Sequence, residues 1–220
     1  MENENKAGQS REVSGAERRA ADWLDADWNK ADGLLPAVIQ DVRTGQILML
    51  GYMNRAAAEA TLESGHVTFY SRSKQRLWTK GETSGNRLGF VSAALDCDRD
   101  TILVQAVPAG PACHTGARTC FGDDLPGGAG FLGQLDSLIR QRRAEMPEGS
   151  YTTSLFSAGK ARVAQKVGEE GVELALARMK DDREEMANEA ADLLYHLMVL
   201  LADADMSLED AVAVLRARHA

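Results

Sequence analysis

Long apolar runs are missing from this 220-residue chain, and with them any candidate membrane span, because a helix needs roughly 18–20 apolar residues to cross a bilayer. A secretion signal is missing as well. Met1 to Arg19 is polar and charged and has no apolar core, so a frayed tail is expected over residues 1–20. Excess positive charge is absent: 25 Lys and Arg face 33 Asp and Glu, for a net charge of −8. That balance excludes bulk attraction to nucleic acid or to membrane surfaces. Cysteine is scarce. There are three, an odd number with no export signal, which fits reduced thiols in a cytoplasm, and no Cys-x-x-Cys, which argues against a structural zinc ribbon. Proline disappears after Pro147, and the tail end is free to run as long helices.

What is present falls into two parts. A turn-rich stretch, Gly122 to Gly130, places a boundary near residue 126, with domains expected over 21–126 and 127–220. The first part reads as α+β with a mostly antiparallel sheet. Leu35–Asp41 and Gln46–Tyr52 flank a turn at Val42–Gly45, and Val67–Ser71 with Arg76–Thr79 form a second pair. Phe90–Cys97 and Thr101–Val107 complete the strands, and Asn54 caps a helix, Arg55 to Glu63, that Gly65 ends. The second part reads as an all-α bundle, with helices near Phe131–Ala144, Ala158–Lys180, Arg183–Ala204 and Ser207–Arg218.

The three cysteines lie within twenty-four residues, and Cys97 is wedged between acids in Asp96-Cys-Asp-Arg-Asp100. Three thiolates, Cys97, Cys113 and Cys120, can hold Zn²⁺ with its fourth position open, as a hydrolytic zinc requires. If the stretch is extended, Asp96, Asp98 and Asp100 share one face and offer hard oxygens to Mg²⁺. A solvated acidic turn beside a buried thiol is the plain alternative. His114 follows Cys113 directly. Adjacent residues seldom chelate one tetrahedral ion, so it reads as a general base or substrate contact, or as an ordinary loop histidine. Upstream, Trp78-Thr-Lys-Gly-Glu-Thr-Ser-Gly-Asn86 is a plausible anion cradle built from Lys80, Thr83, Ser84, Gly85 and Asn86, and Arg72 adds positive charge.

These motifs, with Cys113-His-Thr-Gly and Thr119-Cys-Phe121, closely resemble the phosphoribosyl-AMP cyclohydrolases of histidine biosynthesis over about Gly33 to Gly122. The resemblance implies Cys97, Cys113 and Cys120 as zinc ligands and Asp96, Asp98 and Asp100 as magnesium ligands. It also implies an intertwined homodimer whose zinc site takes cysteines from both subunits. The expected reaction is opening of the adenine ring between N1 and C6.

The second part carries acids on helices. Glu169 and Glu173 stand one turn apart in Lys166-Val-Gly-Glu-Glu-Gly-Val-Glu173, with Glu170 to the side. Glu185, Glu189, Asp192 and His196 form a stripe on the next helix. Such stripes are commonly solvated faces, but Asp192 and His196 sit in a leucine-rich run, and His196 itself reads as a satisfied core histidine. With Ser150-Tyr-Thr-Thr-Ser-Leu-Phe156 and Glu189-Ala-Ala-Asp-Leu-Leu-Tyr-His196, this part is similar to the phosphoribosyl-ATP pyrophosphohydrolases, whose fold is of the nucleotide-pyrophosphohydrolase type. By that resemblance Glu169, Glu170, Glu173, Glu189 and Asp192 bind Mg²⁺. Lys160, Arg162 and Lys166 are candidate phosphate partners, and Thr152, Thr153 and Ser154 candidate hydroxyl contacts. The expected substrates are phosphoribosyl-ATP and phosphoribosyl-AMP. A zinc-stabilised, non-catalytic module fused to a broad-specificity nucleotide pyrophosphatase is the competing reading.

Overall fold

The computed structural model describes residues 22–219; the tail expected over residues 1–20 lies outside the described residues. The chain divides into two compact units, one ending at Pro126 and the other beginning at Gly127.

In the first unit, β1 (Leu35–Asp41) alternates strictly between buried and half-buried residues, the period-2 signature of a strand with one face on a core. β2 (Ile47–Met53) pairs with it antiparallel. A helix, α1 (Arg55–Ser64), starts where the Asn54 side chain accepts the Ala57 N–H and stops where Gly65 adopts a left-handed φ of 68°. β3 (Thr68–Ser71) and β4 (Arg76–Thr79) form a separate two-stranded ribbon. β5 (Leu88–Leu95) and β6 (Ile102–Pro108) close the main sheet, whose order is β2-β1-β6-β5. The β1–β6 pair is parallel and the other two are antiparallel.

Leu35, Ala37 and Ile39 of β1 and Ile102, Val104 and Ala106 of β6 point into one core with Trp23, Phe69, Ala57 and Ala58. The opposite face carries a row across the sheet, Leu50, Val38, Leu103 and Ala94, set by the strand register. On that side Leu50, Leu103 and Val107 are exposed. A β-bulge interrupts the β1–β2 ladder: Ile39 pairs with Met49 and Gln40 with Ile47, which leaves Leu48 over.

The second unit is helical: α2 (Gly130–Glu145), α3 (Tyr151–Ala158), α4 (Lys160–Met179), α5 (Arg183–Asp203) and α6 (Leu208–His219). α3 is an additional helix, where the sequence predicts only the start of a longer one at Ala158. Ser150 caps it through the Thr153 N–H, and Gly159, at φ 84° and ψ 169°, separates it from α4. Ile139, Leu155, Val163, Met198, Val199 and Ala202 form the core of this unit.

Gly51 tests how tightly the first core is built. A Cβ placed there would lie 2.4 Å from the ring of Phe69, which is fully buried. We expect Gly51→Ala to destabilise the protein by about 1–3 kcal/mol, the usual cost of overpacking, measured by urea unfolding of the first unit.

Candidate functional site

The acidic stretch after β5 is a tight turn rather than an extended strand, with Arg99 in the left-handed region at φ 62°. Its three carboxylates still converge: oxygens of Asp96, Asp98 and Asp100 all lie within 4.8 Å of one another. The turn, and not the alternation of strand side chains, gathers them. Asp96 Oδ1 accepts the N–H groups of Asp100 and Thr101 at 3.0 and 3.1 Å, and these bonds hold its carboxyl below the ordinary range although burial opposes them. Lys30 reaches Asp98 Oδ2 at 3.0 Å and Asp100 Oδ2 at 3.2 Å, and the two carboxylates push its ammonium above the usual lysine value. Lys30 lies upstream of every motif and carried no signal in the sequence.

Cys113 and Cys120 come together at a different place. The segment from Ala112 to Arg118 folds back on itself through backbone bonds, and the Cys120 N–H donates to the bulged carbonyl of Leu48 at 2.8 Å. The Thr115 hydroxyl donates to Cys113 Sγ at 3.1 Å, which lowers that thiol's pKa. Burial raises the Cys120 thiol, and the neighbouring Cys113 charge raises it further. Of the two, Cys113 is therefore the more readily ionised. His114 Nδ1 is 3.8 Å from Cys113 Sγ, and the Lys80 charge acts weakly on Cys120.

Cys97 does not join this pair. It follows β5, one edge of the sheet, whereas Cys120 hangs from β2, the other edge. Three inter-strand steps of about 4.8 Å separate those edges. The register sets Leu95 level with Gly51, three residues along β2 from Leu48, or roughly 10 Å more. Within one chain the expected zinc ligands thus fall into a pair and a remote single.

The Trp78–Asn86 segment leaves the end of β4 as a compact loop from Lys80 onward. Gly81 is required at φ 82°, because a Cβ there would meet the Asn86 backbone at 2.4 Å. Thr83, Ser84 and Gly85 are exposed at its tip, with Asn86 half-buried behind them. Glu82 is tied back to Arg76 at 2.6 Å. Arg72 stacks on the Tyr52 ring, 3.8 Å from its centroid.

In the second unit Glu170 and Glu173 of α4 meet Glu189 of α5, with oxygens mutually within 4.8 Å. This is an i, i+3 pair, where the sequence favours Glu169 with Glu173. Glu169 turns instead to Arg162 at 3.2 Å, Gln165 at 2.7 Å and Lys166 at 3.0 Å. Asp192 is exposed and stays outside the cluster, though its charge bears on Glu189. The Lys166 ammonium, paired to Glu170 and Glu169, holds both carboxyls below the ordinary range. Glu189 goes the other way: burial, then the Glu173 and Glu170 charges, raise it.

Of the expected hydroxyl contacts, Thr152 is fully buried. It is hydrogen-bonded to Arg142 at 3.1 Å and Tyr195 at 2.8 Å, so it braces the helices rather than facing a ligand. Thr153 is half-buried, and its hydroxyl has no partner among the described residues. Ser154 is exposed but bonds back to the Tyr151 carbonyl, and Lys160 is exposed at the start of α4. His196 is a satisfied core histidine: Nδ1 lies 2.9 Å from the Asp192 carbonyl and Nε2 3.2 Å from the Tyr151 hydroxyl. A carbonyl can only accept, so Nδ1 carries a proton.

Two family models match the chain. Phosphoribosyl-AMP cyclohydrolase covers residues 49–122 and phosphoribosyl-ATP pyrophosphohydrolase residues 132–219. Three similar proteins carry the name histidine biosynthesis bifunctional protein HisIE. The one from Shewanella oneidensis is 56% identical over 200 residues, covering 90% of this chain and 93% of its own. The one from Escherichia coli K12 is 56% identical over 195 residues, covering 89% and 96%. The one from Xanthomonas campestris is 58% identical over 207 residues, covering 93% and 99%.

The raised Glu189 has a pH signature. A carboxyl raised on folding binds more protons in the folded state, so metal-free stability falls as pH climbs from the ordinary carboxylate value through the raised one. We expect Glu189→Gln to remove that slope. At neutral pH in chelator it should raise the melting temperature, while weakening Mn²⁺ binding at this cluster by at least about tenfold. Calorimetry and Mn²⁺ titration check the two effects.

Proposed function

The chain belongs to the family of histidine-biosynthesis enzymes that join a phosphoribosyl-AMP cyclohydrolase to a phosphoribosyl-ATP pyrophosphohydrolase, and from that premise we propose how its two units divide the work. It is a hydrolase with two activities. The domain over 127–220 cleaves phosphoribosyl-ATP to phosphoribosyl-AMP and pyrophosphate, and the domain over 21–126 opens the adenine ring of the product. Reaction order is thus the reverse of chain order.

In the second domain the acids of the α4–α5 pair form the magnesium site, and the donor set fits: three carboxylates, one of them buried, already gather within 4.8 Å. Magnesium held there neutralises the polyphosphate and orients its reactive phosphorus. Glu170, Glu173 and Glu189 would hold the ion, with Asp192 and Glu169 beside them. Lys166 and Arg162 shift from their glutamate partners to phosphate oxygens, and Lys160 and Ser154 border the entrance. This unit is a bundle of the nucleotide-pyrophosphohydrolase type.

In the first domain the thiol chemistry fits zinc. The Thr115 hydroxyl makes Cys113 easier to ionise, and Cys120 lies beside it. Cys97, Cys113 and Cys120 would hold zinc as thiolates, and zinc there would supply the means of making water nucleophilic near neutral pH. His114, next to Cys113, carries the proton. Lys80, Thr83, Ser84, Gly85 and Asn86 hold a substrate phosphate, with Arg72 nearby, and Asp96, Asp98 and Asp100 bind magnesium.

One observation carries the assembly. Cys97 lies at the far edge and far end of the sheet from Cys113 and Cys120, so a second copy must bring its own Cys97 to complete the set. The exposed row containing Leu50 and Leu103 supports an intertwined homodimer through this face. Three free thiols suit a cytoplasmic setting.

Two measurements test this reading. We expect Cys113→Ser to reduce ring opening, followed by ultraviolet absorbance, to background, with pyrophosphate release kept within about twofold of the parent. Wild-type protein should hold about one zinc per chain, and a Leu50→Arg, Leu103→Arg variant that runs as a monomer should lose it. Full zinc in a monomer would count against a shared site.

A further inference from the structure

The segment before β1 grips the acidic turn. The Asp27 N–H donates to the Arg99 carbonyl at 2.8 Å, and the Arg99 guanidinium donates to the Asp25 carbonyl at 2.7 and 3.2 Å. Lys30 opens the short 3₁₀ turn Lys30–Gly33 on that segment. Its ammonium donates to the Asp98 carbonyl at 2.9 Å, Asp98 Oδ2 at 3.0 Å and Asp100 Oδ2 at 3.2 Å. All three ammonium protons are therefore directed at oxygens of one turn.

We propose that Lys30 is a built-in competitor for the divalent cation of this turn, holding the place of the ion until the ion displaces it. The proposal rests on reading Asp96, Asp98 and Asp100 as a magnesium site, and Lys30 lies outside the matched family segment, which begins at residue 49. A monovalent ammonium between Asp98 and Asp100 cancels the repulsion that would otherwise hold them apart. It also uses oxygen lone pairs that a cation needs. Lys30 is partly exposed, with 38% of its side-chain surface open, and such pairs are weak. A divalent ion can therefore eject it cheaply, and the freed lysine withdraws toward solvent. The arrangement keeps the carboxylates together while setting a threshold on cation concentration.

Mn²⁺ serves as the probe, with free ion followed by electron paramagnetic resonance in the full-length chain. A Glu173→Gln, Glu189→Gln background silences the second cluster. In that background Lys30→Met should tighten Mn²⁺ binding roughly three- to tenfold, and Lys30→Arg, which keeps the charge, should stay near the parent. Lys30→Gln run in parallel keeps a misfolded Met variant from deciding the result. Unchanged or weaker binding in folded Met and Gln variants overturns the proposal, the latter by making Lys30 a positioning residue. Asp98→Asn separates the two levels. If it leaves Mn²⁺ binding intact, the magnesium reading fails and the competitor with it. If it abolishes binding while the Lys30 variants change nothing, only the competitor fails.

Discussion

Mutual repulsion of carboxylates is the constraint around which both units are organised. Each brings three of them within 4.8 Å. Two unit charges that close interact by about 4 kcal/mol at the effective dielectric of a protein surface, which a marginally stable fold cannot ignore. The first unit answers with Lys30 and with backbone N–H groups that clasp Asp96. The second answers with Lys166 beneath Glu170 and with a Glu189 carboxyl that resists ionisation. On the proposed reading, the same crowding that costs stability is what a small divalent cation would relieve. Stability and function thus draw on one electrostatic tension from opposite sides.

Local chemistry was legible in the sequence, and non-local geometry was not. Asn54 and Gly65 bracket α1 as their capping chemistry dictates, and alternation along Leu35–Asp41 gives β1 with its bounds. The parallel pairing of β1 with β6 leaves no trace in either strand, because it depends on where the chain returns after some sixty residues. α3 was missed for a different reason. Thr152, Thr153 and Tyr151 are poor helix formers, and the segment is helical through its Ser150 cap and the burial of Thr152 and Leu155. Tertiary packing overrode propensity there.

The sites divide along the same line. Residue types and motifs identified the acids and thiols, and family resemblance ranked them. Side-chain direction did not follow from them. Helical spacing favours Glu169 with Glu173, yet Arg162 and Lys166 pull Glu169 aside and leave Glu170 to face α5. The family resemblance implied cysteines drawn from two subunits, for which the spacing alone gave no geometry. The sheet register gives that implication physical content by setting Cys97 apart from the other two. Lys30 had no sequence signal, since a single lysine in a polar stretch looks like any other.

The bulge at Leu48 separates two things that proteins often bind together. Cys120 is anchored to a main-chain oxygen, which every amino acid supplies, and not to any particular side chain at position 48. Drift at that position is therefore limited by the apolar interior alone, and the thiol keeps its address through it. Removing the surplus residue is another matter: the ladder would close from Ile39–Met49 straight to Gln40–Ile47, and the oxygen that receives the Cys120 N–H would be lost with the bulge. Point changes and single-residue deletions at one position should for this reason have very different histories among descendants of this chain.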